Sequence, residues 1–228
     1  MDASGDFVVV WESNFQGGIY ARHHDASGTP QGFEFQVNTY TTGAQGAPSV
    51  GMAASGAFVV AWDSRGQDGD FYGIHAQRYA PNGTPQGTEF QVNTYTPSSQ
   101  RFPAVAIDAD GDFVVVWQSR DDGTTYGIYA QRYAANGRPE GSEFRVNTRN
   151  GGSQRFPSVA MDADGNFVVT WQSGGDGSAD GIYAQRYAAD GTARGGEFQV
   201  NTYTTGSQVA PVAAIGTDGD FVIAWEGR

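Results

Sequence analysis

The side chains of this chain that could do chemistry come in several copies each. Tyr129, Gln131, Arg132 and Tyr133 form one set, and Tyr183, Gln185, Arg186 and Tyr187 repeat it. Gln77 and Arg78 belong to a third copy, which opens on His75 and closes on Tyr79; a fourth departs, with Arg22, His23 and His24. An aromatic face beside guanidinium and amide groups suits a sugar, because the ring stacks on apolar C–H surface while the polar groups bond hydroxyls. One shallow glycan site per repeat is therefore one functional expectation. The plainer reading is an outer strand whose tyrosines and arginines stack on each other.

A second recurring set is acidic. Asp108, Asp110 and Asp112 surround a glycine, Asp162 and Asp164 follow with Asn166 in third place, and the last copy keeps Asp218 and Asp220. Carboxylates on one turn could offer calcium its oxygen ligands, so Ca2+ is a candidate ion and no cofactor is required. Asp-Gly is also a standard turn pair, and the copy at 52–57 has no carboxylate at all, which favours turn chemistry. Asp68, Asp70, Asp121, Asp122, Asp176 and Asp180, in a second recurring loop, carry the same two readings. The three histidines, His23, His24 and His75, have no partner implied by spacing. With no nucleophile, base or acid pair set apart from the repeat, the expectation is that the chain is not an enzyme.

The elements that must position these groups are set by one phrase. It reads GDFVVVW at 5–11, GAFVVAW at 56–62, GDFVVVW at 111–117, GNFVVTW at 165–171 and GDFVIAW at 219–225. All five tryptophans, Trp11, Trp62, Trp117, Trp171 and Trp225, close it, and their spacing marks a tandem array of units near 54 residues. The whole of 1–228 reads as a single array, with units at about 1–46, 47–100, 101–154, 155–208 and a partial one at 209–228.

Each full unit predicts four strands. A P-x-V-A run leads, as at Pro103–Ile107; the continuous F-V-V-x-W run suits a strand buried on both faces. GIYAQRY and EFRVNT then alternate with a period of two, as strands do. DADG turns and DG- and NG-containing loops suit antiparallel neighbours. The recurring Asn-Thr pairs (38–39, 93–94, 147–148, 201–202) and the glutamines Gln45, Gln100, Gln154 and Gln208 fit side-chain bonds to turns and crossings. Four-stranded antiparallel sheets in radial repetition predict an all-β fold, a β-propeller of about four to five repeats. The ends are out of phase with the repeat, so closure by terminal strand exchange or by dimerisation, and hence self-association, is expected.

Composition narrows the partners. With 25 acidic residues against 13 arginines and no lysine, the net charge of −12 repels phosphate backbones, so no nucleic acid is expected. No apolar run is long enough for membrane insertion, and no leader precedes Asp2, so the chain reads as a segment of a longer protein. The absence of cysteine excludes disulfides and thiolate chemistry.

The string formed by DGDFVVVWQS (110–119), YGIYAQRYAANG (126–137) and EFQVNT (89–94) resembles tandem repeats of very large secreted bacterial proteins of the RTX-adhesin type, over essentially the whole chain. The resemblance implies an extracellular or bacterial cell-surface location and a calcium-associated setting. The glycine-aspartate nonapeptide that binds calcium in RTX coils is absent here. The functional expectation is a non-catalytic structural or adhesive module, the alternative a carbohydrate-binding, lectin-like propeller.

Overall fold

The computed structural model describes residues 1–13, 18–120, 125–174 and 180–228. Five antiparallel sheets follow one another along the chain. The first holds β1 (Phe7–Ser13), β2 (Gly18–His24) and β3 (Pro30–Gln36). The second holds β4 (Gln45–Met52), β5 (Phe58–Arg65), β6 (Tyr72–Tyr79) and β7 (Phe90–Gln91), in that spatial order. The third is β8 (Gln100–Ile107), β9 (Phe113–Ser119), β10 (Gly127–Tyr133) and β11 (Pro139–Arg145); the fourth is β12 (Gln154–Met161), β13 (Phe167–Gly174), β14 (Asp180–Tyr187) and β15 (Phe198–Gln199). β16 (Gln208–Ile215) and β17 (Phe221–Gly227) make the last. Each sheet packs on the next as the blades of a β-propeller do. Among the described residues no helix is long and apolar enough to cross a membrane.

The leading strands β4, β8, β12 and β16 lie side by side at the inner edge. Val105 N–H donates to Ser49 Oγ at 3.2 Å, and Ala213 N–H to Ser158 Oγ at 3.2 Å, tying one inner strand to the next. Each blade has two unlike faces. Its leading face is small, as with Val59, Ala61, Ile74 and Ala76; against it lies the bulky trailing face of the next blade, with Phe113, Val115, Trp117 and Tyr133. The same pairing of small against large recurs between the first and second blades and between the third and fourth. Phe and Tyr stack within each trailing face, as Phe113 does on Tyr133 at 4.9 Å, and each such tyrosine hydroxyl donates across to the preceding blade, Tyr133 to Val92 O at 3.3 Å.

The polar repeats serve the same construction. The buried Asn38, Asn93, Asn147 and Asn201 each accept the N–H of an isoleucine that opens the GI-containing strand, at 2.6–2.8 Å. Gln100, Gln154 and Gln208, which start inner strands, donate to carbonyls of the incoming crossing, and Gln45, Gln154 and Gln208 accept the indole N–H of their own blade's tryptophan.

Closure by strand exchange is not what the structure shows. β16 pairs with β17 through the adjacent hairpin, and β1 belongs to a separate sheet. A short turn, closed by Gly216 N–H to Asp220 O at 2.7 Å, brings those partners together at far less loop-closure cost than a partner some two hundred residues away. The last blade is consequently open. Trp62, Trp117 and Trp171 are fully buried, whereas Trp225 is 40% exposed.

Candidate functional site: the inner mouth of the blades

Every inner strand breaks register just before its proline. The irregularities fall between Gly46 and Ser49, Arg101 and Ala104, Arg155 and Ser158, and Val209 and Val212. Proline has no N–H for the ladder, so a bulge is where it fits. The residue ahead of it takes a left-handed backbone: Ala47, Phe102, Phe156 and Ala210 have φ between 48° and 54°. For a bulky phenylalanine that conformation costs about 1–3 kcal/mol.

Those two bulges form a platform. The Phe102 and Phe156 rings meet edge to face at 5.0 Å, and Phe156 is 41% exposed. The Arg101 guanidinium lies 4.2 Å from the Tyr72 ring centre and 4.9 Å from that of Phe102, and Arg155 lies 5.3 Å from that of Tyr126. Exposed aromatic faces beside arginines are thus assembled at the start of β8 and β12.

Opposite each bulge stands the residue that follows a tryptophan. In the third blade Gln118 Oε1 accepts the Phe156 N–H at 3.1 Å. In the second blade the equivalent acceptor is a carboxylate: Asp63 Oδ2 takes the Phe102 N–H at 3.3 Å and the Arg101 Nε–H at 3.1 Å. Asp63 is fully buried, and its other oxygen, Oδ1, has no hydrogen-bond partner among the described residues. That oxygen faces Gly46. A Cβ on Gly46 would lie 3.1 Å from Asp63 Oδ1 and 3.2 Å from Glu12 Oε2, so the two carboxylates flank one point from neighbouring blades.

Burial raises the Asp63 pKa above the ordinary carboxylate value; Arg101 and the Phe102 N–H oppose the shift, and Glu12 adds to it. The folded state therefore holds this proton more tightly than the unfolded chain does. Its stabilising effect is complete below the ordinary value of 3.8 and is lost as pH rises through the raised one. Urea melts at about pH 4 and pH 7 should show wild type losing more stability over that interval than Asp63→Asn; equal losses would mean that Asp63 titrates as a solvated carboxylate.

The residues expected to bind sugar on the GI-containing strands are placed differently. Gln77, Gln131 and Gln185 are buried, and each donates to carbonyls of its own blade, at 2.8–3.4 Å. Tyr133 and Tyr187 are buried with hydroxyls on the preceding blade. Arg78 donates to Asn136 O and Arg132 to Asp190 O at 2.7 Å, both in the turn of the next blade. Gly137 permits the first of these: its φ is 84°, and a side chain there would meet the Arg78 guanidinium. Tyr129 stacks on Trp117 at 6.5 Å, and Arg149 covers the Tyr183 ring. Arg186 is exposed. Most of this set is engaged in holding blades together.

The acidic turns are likewise engaged. Asp108 Oδ1 accepts the N–H groups of Asp110, Gly111 and Asp112 at 2.9–3.0 Å, and Asp162 Oδ1 those of Asp164 and Asn166. Among the described residues no three His, Cys, Asp or Glu side chains are grouped to hold a metal ion; Asp121, Asp122 and Asp176 lie outside those residues. Asp108→Ala should cost about 1 kcal/mol, as loss of a turn or helix cap does, and a chelator should leave the wild-type melting temperature unchanged. A fall in chelator, reversed by calcium, would contradict the capping account.

Sequence reasoning missed this mouth. Its signals were the RFP triplets at 101–103 and 155–157, against GAP and VAP elsewhere, and Asp63 where two later repeats carry glutamine.

No protein-family model matches the chain, and no curated protein matches it. Solved structures do match. An α-L-arabinanase of Penicillium chrysogenum, solved with arabinobiose, aligns at 15% identity with a TM-score of 0.64, over 96% of this chain and 71% of that one. A GH93 α-L-arabinofuranosidase of Fusarium graminearum, also with arabinobiose, aligns at 13% and 0.69 over 98% and 72%. A Hadza microbial sialidase aligns at 11% and 0.64 over 97% and 50%. At such identities the likeness is one of fold, and it places the chain among β-propellers. Glycoside hydrolases as neighbours overturn the expectation of a non-catalytic adhesive module, and with it that of no enzymatic activity.

Proposed function

We propose that this chain is a carbohydrate-active propeller that cleaves glycosidic bonds at the inner mouth, with arabinose-containing oligosaccharides as the first substrates to test. The observation that carries the reading is the meeting of Asp63 Oδ1, buried and unpartnered, with Glu12 beside a platform of Phe102, Phe156 and two arginines. The neighbours that hold arabinobiose support the substrate class.

Glycoside hydrolysis needs one carboxyl group that keeps a proton and another that is ionised. Asp63, its pKa raised by burial, is the proton donor to the leaving oxygen. Glu12, exposed at the end of β1, is the carboxylate that adds to the anomeric carbon as the bond to the leaving oxygen breaks; a water that gives its proton to Asp63 then displaces Glu12 and frees the sugar. The 3.1 and 3.2 Å distances to their common point bring the two oxygens closer than the roughly 6.5–9.5 Å at which an inverting pair admits a water. The partly exposed ring of Phe156 offers a sugar ring its stacking surface. An extracellular bacterial setting belongs to the same proposal.

The test is release of reducing sugar from arabino-oligosaccharides and from an aryl arabinofuranoside by the purified chain. Turnover that saturates with substrate supports the reading. A folded sample that releases no sugar from either overturns it.

A further inference from the structure

Independently of any activity, the two ends of the array present complementary faces. The last blade leaves its leading face uncovered: Val212 and Val222 are 61% and 64% exposed, and Ala214 and Ala224 beside them are exposed too. In the third blade Val114 and Val116, the equivalents of Val222 and Ala224, are fully buried under the fourth. At the other end, the first blade leaves its trailing face uncovered. Val9 is 41% exposed where Val60, Val115 and Val169 are fully buried, and Trp11 is only partly buried where Trp62, Trp117 and Trp171 are fully so.

These are the two halves of one interface. In the three small-against-large contacts already described, a leading face of small residues receives a trailing face of Phe, Val and Trp. The first blade keeps that trailing geometry, with Phe7 stacked on His24 at 5.2 Å as Phe58 is stacked on Tyr79 at 4.7 Å. Within one chain the two faces stay apart: among the described residues β16–β17 does not pack against β1–β3. We propose that a second copy of this chain covers them, the leading face of one copy's last blade receiving the trailing face of the other's first blade. The contact is heterologous, so two copies joined twice would close and copies joined once would extend. It continues the packing already repeated along the chain, and burial of exposed valines and an indole drives it.

The test uses sedimentation velocity on the full chain with two single variants. Val222→Asp spoils only the leading face, and Val9→Asp only the trailing face; both sites are exposed, and circular dichroism checks that the variants fold. Wild type should sediment as a dimer or larger with rising concentration. Each variant alone should be a monomer, and an equimolar mixture should give a one-to-one heterodimer, because one good face of each kind remains. Wild type that stays monomeric up to about 100 μM, or a mixture that stays monomeric, overturns the proposal. A variant that still dimerises alone also overturns it, because the contact would then not be head to tail.

Discussion

Asp63→Asn lowers kcat/KM on an arabino-oligosaccharide by about 10²–10⁴-fold, the range usual for loss of a general acid. The amide keeps an oxygen that can accept the Phe102 N–H, as Gln118 does for Phe156 one blade on, so the bulge and its platform should stand. What the amide lacks is an acidic O–H, the form of the carboxyl group that burial favours. The loss should fall on kcat, with KM little changed, because proton donation acts in the transition state and the exposed Phe156 ring is left in place. Glu12→Gln should do comparable damage, and the double variant little more than either alone, since groups acting as a unit are not additive. Phe156→Ala should instead raise KM, since its exposed ring is the stacking surface. Variants at Asp63 and Glu12 that retain wild-type kcat/KM would remove the pair from the chemistry.

The second large effect is on stability. Trp117→Ala should cost about 3–5 kcal/mol, the range for deleting a fully buried aromatic side chain, which lowers the melting temperature by about 10 °C in a chain of this size. The indole is fully buried in the seam between the second and third blades, against Val59, Ala61 and Ile74. Trp225→Ala is the internal control. That indole is 40% exposed and keeps only its own blade's Gln208 as hydrogen-bond partner, so about 1–2 kcal/mol is expected. Denaturant melts of both variants give the comparison, and equal losses would show that the blades do not bury their tryptophans as described.

The repeat phrase alone dictated the strands. A continuous FVVVW run can be satisfied only by burial on both faces, and the Asp-Gly turns impose hairpins, so the four-stranded blades follow from local chemistry. The tryptophans, asparagines and glutamines were legible for the same reason: a residue kept at one place in every repeat answers a need inside the blade. The mouth was not legible. Its parts lie far apart in the chain, at Glu12, Gly46, Asp63, Arg101 and Phe156, and they are the positions at which repeats differ. On β10 the sequence shows only half of what its residues do: Tyr133, Gln131 and Arg132 resemble ligand groups in isolation, and in the fold they are bonded across and within blades. Periodicity thus determined the secondary structure and the blade. Which residues of neighbouring blades meet, and whether the ends join, was decided only by packing one face on the next, a contact between segments some fifty residues apart that no local pattern encodes.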